Sequence, residues 1–199
     1  MGRGSPLARR LAPAPFPVGE KMAIPAVRIE TERLVLRAPD ASDFDDYLAL
    51  TADPETFRYS ERGPMSSDEA WTRLLRQIGH WVVLGYGLFA IEEKASGRFI
   101  GEAGLGDFRR NLGPSFDGVP EAAWSLAGWA QERGYATEAA NAALVWMERK
   151  FATHRTVCLI HSDNAPSIRV AQKLGYSVFE ERTYRGYPAL LHQRPGSAS

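Results

Sequence analysis

The segment from Gln131 to Ala140 has a composition suited to holding an anion. It contains Arg133 and Gly134, and a run with helical spacing follows it from Thr137 to Phe151. The first N–H groups of a helix have no partner within the helix, and the helix dipole adds partial positive charge there. Glycine lets the backbone approach a bulky group, and arginine adds a full charge suited to phosphate. The segment is therefore predicted to bind the pyrophosphate of a cofactor.

Strands are predicted on both sides of this loop and its helix. The residues from Glu121 to Leu126 alternate with period two, and Val157 to Ile160 reads as a short buried strand. Asn164 then provides the cap of a further helix, with Pro166 in its first turn. The predicted anion site therefore lies at a junction between a strand and a helix, with a second strand and helix directly after it.

The same periodicities predict the remaining elements. A strand is expected from Ile29 to Arg37, followed by helices that begin near Ser42 and Ser66, the second with a capping box to Glu69. Further strands are expected at 86–92, 98–104, 178–183 and 187–192. The order β-α-α-β-β-β-α-β-α-β-β describes one mixed α/β domain.

The composition is that of an ordinary globular protein. The 199 residues are 44% hydrophobic and 24% charged, and the formal net charge is zero, so no overall field attracts nucleic acid or an anionic membrane. No apolar run approaches the roughly 18 residues that a membrane helix needs. The single cysteine, Cys158, excludes an internal disulfide and favours a reducing compartment, so a cytoplasmic protein is expected.

The two ends differ in composition from the rest of the chain. Residues 1–25 are rich in proline, glycine and small residues, so a disordered N-terminal extension is predicted, with Met22 as an alternative start. The folded domain is predicted to span residues 26–193, and residues 194–199 are predicted to form a loose tail.

Sequence motifs for nucleoside triphosphate binding and for metal binding are absent from the chain. There is no Gly-x-x-x-x-Gly-Lys-Ser/Thr loop for a nucleoside triphosphate. The four histidines are scattered without metal-ligand spacing, so no metal is expected. Cys158 alternates within an apolar strand and is predicted to belong to the core.

Four motifs in order resemble one family. The pattern Gln-x-x-Gly-x-Ala at Gln131, Gly134 and Ala136 is similar to the acetyl-CoA loop of the GNAT N-acetyltransferases. Three more stretches resemble the branch that includes the ribosomal-protein N-terminal acetyltransferases: Glu121 to Ala139, Thr31 to Arg37, and Asn164 to Ser167 followed by Lys173 to Tyr176. The resemblance extends from about residue 27 to residue 192.

The resemblance implies a fold and a cofactor site. The fold would be a single α/β GNAT domain with a mixed, mostly antiparallel sheet of six to seven strands, about four helices, and a splay between strands four and five. The pantetheine arm of acetyl-CoA would pair with the edge of the fourth strand, and the loop would bind its pyrophosphate. The implied cofactor-binding residues are Leu126, Ala127, Gly128, Gln131, Arg133, Gly134, Tyr135, Ala136, Thr137 and Asn164. A plain helix cap also explains Asn164.

The implied reaction moves an acetyl group directly from a thioester to a primary amine. The attacking amine must be neutral, but a free alkylamine has a pKa of around 10, so the site needs a base or a desolvating environment. Glu121 matches the acidic position on the fourth strand and is the candidate base, acting through a water. Ser167 is the candidate partner for the leaving sulfur, because Ala171 occupies the position of the tyrosine that many members use.

Two classes of function stay open at this point. One is an acetyl-CoA-dependent N-acetyltransferase acting on a protein N-terminus or a small-molecule amine. The other, suggested by Ala171, is a non-catalytic acyl-CoA sensor or interaction module. The expected partner is a peptide or small-molecule amine, with no nucleic acid and no membrane, and a homodimer stays open. The sequence does not name the acceptor, since the loops that would select it carry no readable code.

Overall fold

The computed structural model describes residues 25–56, 58–59 and 63–196. All of the predicted N-terminal extension except its last residue therefore lies outside the described residues. The described part contains eight strands and four α-helices, which we number in chain order: β1 (Arg28–Glu30), β2 (Leu34–Arg37), α1 (Phe44–Ala52), α2 (Ser67–Leu84), β3 (Leu88–Glu93), β4 (Phe99–Gly106), β5 (Glu121–Leu126), α3 (Tyr135–Phe151), β6 (Arg155–His161), α4 (Ala165–Lys173), β7 (Ser177–Tyr184) and β8 (Tyr187–Pro195).

The strands form one sheet in the order β1-β2-β3-β4-β5-β6-β8-β7. Every neighbouring pair is antiparallel except β5 and β6, which are parallel. The predicted α/β class with a mixed, mostly antiparallel sheet is confirmed, and the sheet has eight strands rather than the six to seven expected.

The additional strand arises because the predicted strand from Ile29 to Arg37 is interrupted by a tight turn. The Thr31 N–H donates to the Leu34 carbonyl at 3.0 Å, and the Leu34 N–H donates to Thr31 Oγ1 at 2.9 Å. The Thr31 hydroxyl also donates to Glu138 Oε1 of α3 at 2.6 Å. A contact with a helix far along the chain therefore divides the segment into β1 and β2.

Helix boundaries follow local capping chemistry. Ser66 and Glu69 form the predicted capping box at the start of α2, and Gly85 ends that helix with φ of 75°. The helix start predicted near Ser42 is capped by Asp40, whose Oδ1 accepts from the N–H and the hydroxyl of Ser42. Asp40 caps a 3-10 turn, Ala41–Asp43, that leads into α1.

The two faces of the sheet carry different elements. Helix α3 packs on one face, where Ala139, Ala143 and Leu144 join the main core with inward residues such as Phe89 and Leu126. The first two helices lie on the other face, where Tyr47 and Gln77 approach Glu102 of β4. The cross-strand pair of Gly106 with Glu121 continues that second face into β5, because side chains alternate along a strand.

The C-terminal strand extends further than predicted. β8 includes Arg194 and Pro195 of the predicted tail. Arg194 Nε donates to the Leu174 carbonyl at 2.8 Å, and its guanidinium pairs with Glu148 of α3. These bonds hold the strand end against the helical layer, so the ordered chain continues to Gly196, and residues 197–199 lie outside the described part. None of the helices within the described ranges has the length and apolarity needed to cross a membrane.

Candidate active site

Strands β5 and β6 are joined at a single register position and then separate. Glu121 is the Cα partner of Val157, and the Val157 N–H donates to the Pro120 carbonyl at 3.1 Å. These are the fourth and fifth strands predicted from the sequence, renumbered because the first predicted strand is divided into β1 and β2. The predicted splay between them is confirmed. A cavity of about 230 Å³ lies at the splay. Its lining consists of Thr56, Tyr59, Arg73, Arg110, Glu121, Ala122, Ala123, Trp124, Ser125, Cys158, Leu159, Ile160, His161, Asn164, Ser167 and Tyr187.

The far end of β5 presents backbone groups to this gap. The Ala127 N–H donates to the Ile100 carbonyl at 2.9 Å, on the β4 side of the strand. Because neighbouring residues of an antiparallel ladder point to opposite sides, the N–H and carbonyl groups of Trp124 and Leu126 face β6 instead. The Leu126 carbonyl accepts a hydrogen bond from Gln131 Nε2 at 3.0 Å. Gln131 thus ties the loop to the strand end, and Trp124 offers the open edge for an added chain.

The loop before α3 has the geometry of an anion site. Gly134 is the N-cap residue of α3 with φ of 82°, and no side chain caps this helix. Within the described part of the chain, no hydrogen bond is made by the N–H groups of Arg133, Gly134, Tyr135, Ala136 or Thr137. Backbone donors at a helix start attract an anion, so these N–H groups form an open cradle with the chemistry to attract one.

The loop is fixed from outside by a network of charged groups. Arg133 pairs with Glu93 at 2.9 Å, and the Tyr135 hydroxyl donates to the same carboxylate at 2.6 Å. Hydrogen bonds from Tyr135 and Ser96, assisted by the charge of Arg133, lower the pKa of Glu93. The Tyr135 ring is buried, so its side chain braces the loop, whereas the Arg133 side chain stays 46% exposed.

Arg33 supports the same loop and was not singled out from the sequence. Its Nη1 donates to the Arg133 carbonyl at 2.9 Å, and its Nε donates to Glu138 Oε2 at 2.7 Å. Its guanidinium carbon lies 4.6 Å from the centre of the Tyr135 ring, close enough for a cation–π contact. Arg33 belongs to the opening motif of the chain, and only the fold brings it to the loop, about 100 positions later.

At the joined end of the gap, Glu121 is buried in an ion pair with Arg110. Glu121 is 3% exposed, and Arg110 Nε lies 2.8 and 2.6 Å from its two carboxylate oxygens, with Nη2 at 2.6 Å from Oε1. Burial raises the pKa of Glu121 above its ordinary value, and the hydrogen bonds and charge of Arg110 oppose that rise. The nearby charges of Asp107 and Asp117 add to the rise. A carboxylate accepts about four hydrogen bonds, so Glu121 keeps capacity for a water or an amine.

Helix α4 brings two predicted residues to the cavity wall. The Asn164 side-chain oxygen accepts from the Ser167 N–H at 3.1 Å and caps the helix, while the Asn164 amide nitrogen donates to no described residue. Ser167 lines the cavity one turn along. Ala171 is fully buried in the main core, so this position supplies no hydroxyl to the gap. The cap accounts for the position of Asn164, and its amide remains available to a ligand.

Several lining residues were not predicted as functional. Arg73 of α2 pairs with the buried Glu102 of β4, on the sheet face that also carries Glu121. His161 and Tyr187 bring aromatic rings to the cavity from β6 and β8. Periodicity assigned these residues to elements, but their meeting depends on how the elements assemble. His161 accepts from the Asp163 N–H at Nδ1, at 3.0 Å, so its other ring nitrogen carries the proton of the neutral form.

Cys158 faces the cavity from within the core. It is a free thiol with 1% exposure, and burial raises its pKa well above the ordinary value. The prediction that it belongs to the core is confirmed. Among the described residues, no group of three or more histidine, cysteine, aspartate or glutamate side chains is placed to hold a metal ion.

Comparison with known proteins identifies the family. Residues 33–177 match the family model described as "Acetyltransferase (GNAT) domain". The solved structure of a "Putative GnaT-family acetyltransferase" from Bordetella pertussis is 35% identical, with a TM-score of 0.76 over 84% of this chain and 99% of that chain. The chain therefore belongs to the GNAT acetyltransferase family, and the predicted class, an N-acetyltransferase, is confirmed.

Two further proteins are similar. The "Uncharacterized N-acetyltransferase YnaD" of Bacillus subtilis (strain 168) is 24% identical over 149 residues, which are 75% of this chain and 82% of that protein. The ribosomal L7/L12 alpha-N-protein acetyltransferase RimL, solved in complex with coenzyme A, has a TM-score of 0.69 at 16% identity, over 87% of this chain and all of that one. At that identity the similarity to RimL shows a shared fold.

Proposed function

We propose that this protein transfers the acetyl group of acetyl-CoA directly to a primary amine, carried either by a protein N-terminus or by a small molecule. One observation carries the proposal. A single gap in the sheet has open backbone N–H donors at its mouth, around Gly134, and a buried carboxylate at its joined end, Glu121. The first suits a diphosphate and the second suits proton removal. The coenzyme A bound to RimL supports the choice of cofactor, as does the family.

The residues of the gap fit acetyl-CoA in three respects. The N–H groups from Arg133 to Thr137 are free to bind the diphosphate, and the open edge of Trp124 is free to pair with the amide groups of the pantetheine arm. The unused amide nitrogen of Asn164 can donate to the same arm. Acetyl-CoA supplies an activated thioester whose carbonyl carbon accepts an amine while the carbon–sulfur bond breaks.

Side chains of the protein are proposed to take up a proton from the amine and to donate a hydrogen bond to the leaving sulfur. The acceptor enters as an ammonium ion and must lose two protons in all, one before attack and one as the amide forms. Glu121, acting directly or through a water, is the proposed acceptor for a proton, and its raised pKa brings it nearer to neutral pH, where a base is most effective. Ser167 is the proposed hydrogen-bond donor to the sulfur, which leaves as a thiolate and takes up one proton. The balanced products are an acetamide, free coenzyme A and one proton, which passes to solvent.

The test is release of free thiol from acetyl-CoA by the full-length protein with a panel of amino acids, peptides, polyamines, monoamines and aminoglycosides. We expect at least one amine to be consumed at the rate of thiol release, with a mass increase of one acetyl group. If coenzyme A binds and no amine is acetylated across the panel, the proposal fails in favour of an acyl-CoA sensor. The buried base and the open gap favour the enzyme. The free, buried Cys158 supports our further proposal that the protein works in the reducing cytoplasm.

Substituting Asn164 separates a helix cap from a ligand contact. In Asn164→Asp the oxygen that accepts from the Ser167 N–H is kept, but the amide donor is lost. We expect an unchanged melting temperature and a roughly three- to tenfold weaker affinity for coenzyme A, the value of one hydrogen bond. Calorimetric titration and thermal melting are the measurements. Asn164→Ala is the matched comparison, since it also loses about 1 kcal/mol of cap stability. Equal affinity in the aspartate variant and the wild type would reduce Asn164 to a cap.

Substituting Arg110 changes the pH dependence of the rate. Arg110 opposes the burial that raises the pKa of Glu121, so Arg110→Met moves that pKa higher still. The proposed base works as a carboxylate and stops as the pH falls through its pKa. The acid limb of kcat/KM is therefore expected at higher pH in the variant, while Arg110→Lys shifts it less. An acid limb at the same pH in all three proteins would show that Glu121 does not control it.

A further inference from the structure

Each charged side chain in the described lining of the cavity at the splay is paired with a group of opposite charge. Glu121 is the one carboxylate among the described residues of its lining, and both of its oxygens accept from Arg110. The other permanent charge of that lining, Arg73, pairs with the buried Glu102 behind it. No carboxylate of the described lining is therefore left without a guanidinium partner. A ligand that carries one ammonium near Glu121 therefore finds no second anionic position among the described lining residues.

The charge balance selects among amines. A polyamine would bring additional positive charges into a partly desolvated space that already holds two guanidinium groups. Like charges repel more strongly where water is excluded, so each extra ammonium weakens binding. The charge pattern therefore favours a monoamine, whose single ammonium is converted to a neutral amine before reaction.

The same cavity presents a stack of aromatic rings. The rings of His161 and Tyr187 are nearly parallel, with planes 12° apart and centres separated by 5.4 Å. Tyr59 leans on His161 at 6.1 Å between ring centres, and Tyr184 meets Tyr187 edge-on at 5.7 Å. Tyr187 is half-buried and lines the cavity, so part of its ring surface is open to a ligand.

These rings are held in place before any ligand arrives. The Asp163 N–H fixes the His161 ring at Nδ1, at 3.0 Å, and the Ser162 N–H donates to the Pro188 carbonyl at 3.0 Å, which joins the end of β6 to the start of β8. Rigid aromatic groups bind with little loss of conformational freedom. A flat group on the ligand can stack or pack edge-on against such a surface, a preference beyond the burial of area alone.

We propose that the acceptor is a small arylalkylamine, with its amine near Glu121 and its aromatic group against Tyr187 and His161. The proposal rests on the acetyl-transfer function above, which makes this cavity the acceptor site. A small molecule is favoured over a peptide because about 230 Å³ is less than the roughly 300 Å³ at which pockets for drug-sized ligands begin, and the reactive end of the pantetheine arm shares that space.

The test is equilibrium binding, measured by calorimetry with the full-length protein saturated with coenzyme A. The probes are 2-phenylethylamine, n-hexylamine and spermidine, which differ in aromatic character and in charge. We expect 2-phenylethylamine to bind roughly tenfold more tightly than n-hexylamine and roughly a hundredfold more tightly than spermidine. Tighter binding of spermidine or n-hexylamine would overturn the proposal, and so would a peptide with an N-terminal phenylalanine that binds more tightly than 2-phenylethylamine.

Variants locate the preference on the ring of Tyr187. Tyr187→Phe keeps the ring and is expected to keep the preference for 2-phenylethylamine over n-hexylamine, whereas Tyr187→Leu is expected to reduce it to near parity. Tyr86→Leu is the matched control, because Tyr86 is a half-buried tyrosine that packs edge-on against Phe151, outside the cavity lining. The same loss in Tyr86→Leu, or an unchanged preference in Tyr187→Leu, would contradict this assignment. Tight binding of 2-phenylethylamine, with no amine of the panel acetylated, would refute the enzymatic function and leave the binding site standing.

Discussion

Replacing Glu121 with glutamine is expected to lower kcat by about 10²- to 10⁴-fold at saturating acetyl-CoA, the usual range for loss of a general base. The amide has nearly the same shape as the carboxylic acid, but it does not accept a proton at the pH of the assay. The affinity for coenzyme A should change little, because Glu121 lies at the joined end of the gap, away from the loop at Gly134. Steady-state thiol release and calorimetry separate the two effects.

Glu102→Gln is the matched control for this experiment. Glu102 is also a buried glutamate, on the adjacent strand and the same sheet face, and it also pairs with an arginine, Arg73. Both substitutions therefore leave a partly buried guanidinium without the carboxylate it pairs with, and both are expected to reduce stability. Only the Glu121 variant is expected to lose kcat to the extent stated. A similar kcat loss in both variants would mean that the ion pairs shape the site and that neither residue is the base.

The second large effect is expected at Gly134, in the proposed diphosphate site. Gly134→Ala places a side chain on a backbone with φ of 82°, where the new Cβ would lie 3.4 Å from Arg33 Nη2. The backbone is expected to relax from the left-handed region, and the N–H groups of the cradle then no longer converge. Losing one charge-assisted hydrogen bond costs about 1.5–3 kcal/mol, so the Kd for coenzyme A is expected to rise about 10- to 100-fold.

Gly97→Ala controls for backbone strain alone. Gly97 has φ of 67° in the turn between β3 and β4, and nothing lies within 4 Å of a Cβ added there. Both alanine variants should lose stability, by about 1–2 kcal/mol for a left-handed residue with a side chain. Only the Gly134 variant should lose affinity. An unchanged Kd for coenzyme A in Gly134→Ala would remove the loop amides from the proposed diphosphate site.

Local patterns predicted the elements well where the chemistry is local. The alternation from Glu121 to Leu126 gave β5 with its observed ends, and Asn164 gave the start of α4. The capping box at Ser66 is also as predicted. At the helix starts the decisive hydrogen bonds join residues within one turn, and in β5 the alternation of side chains lies within the strand itself, so the local sequence predicts both.

The features that the sequence did not predict depend on contacts between segments that are distant in the chain. The break between β1 and β2 involves Glu138 from α3, and the bracing of the loop before α3 involves Arg33 from the start of the domain. The partner of Glu121 is Arg110, from a loop whose periodicity predicts nothing. The conformation of a loop and the pairing of side chains across a sheet depend on how the elements pack together. The ion pair of the candidate base and the stacked rings of His161 and Tyr187 could therefore be seen only in the structure.

The single register position between β5 and β6 divides the sheet mechanically. Five strands lie on one side of that rung and three on the other, so few ladder hydrogen bonds cross the boundary. A ligand that pairs with the edge of Trp124 and also contacts α4 would connect the five-strand part of the sheet to the three-strand part. With the ligand bound, the amide hydrogens of β5 and β6 beside this boundary would exchange with solvent more slowly. The two parts of the sheet would also unfold as one cooperative unit, so ligand binding would increase the stability of the whole domain and not only of the cavity.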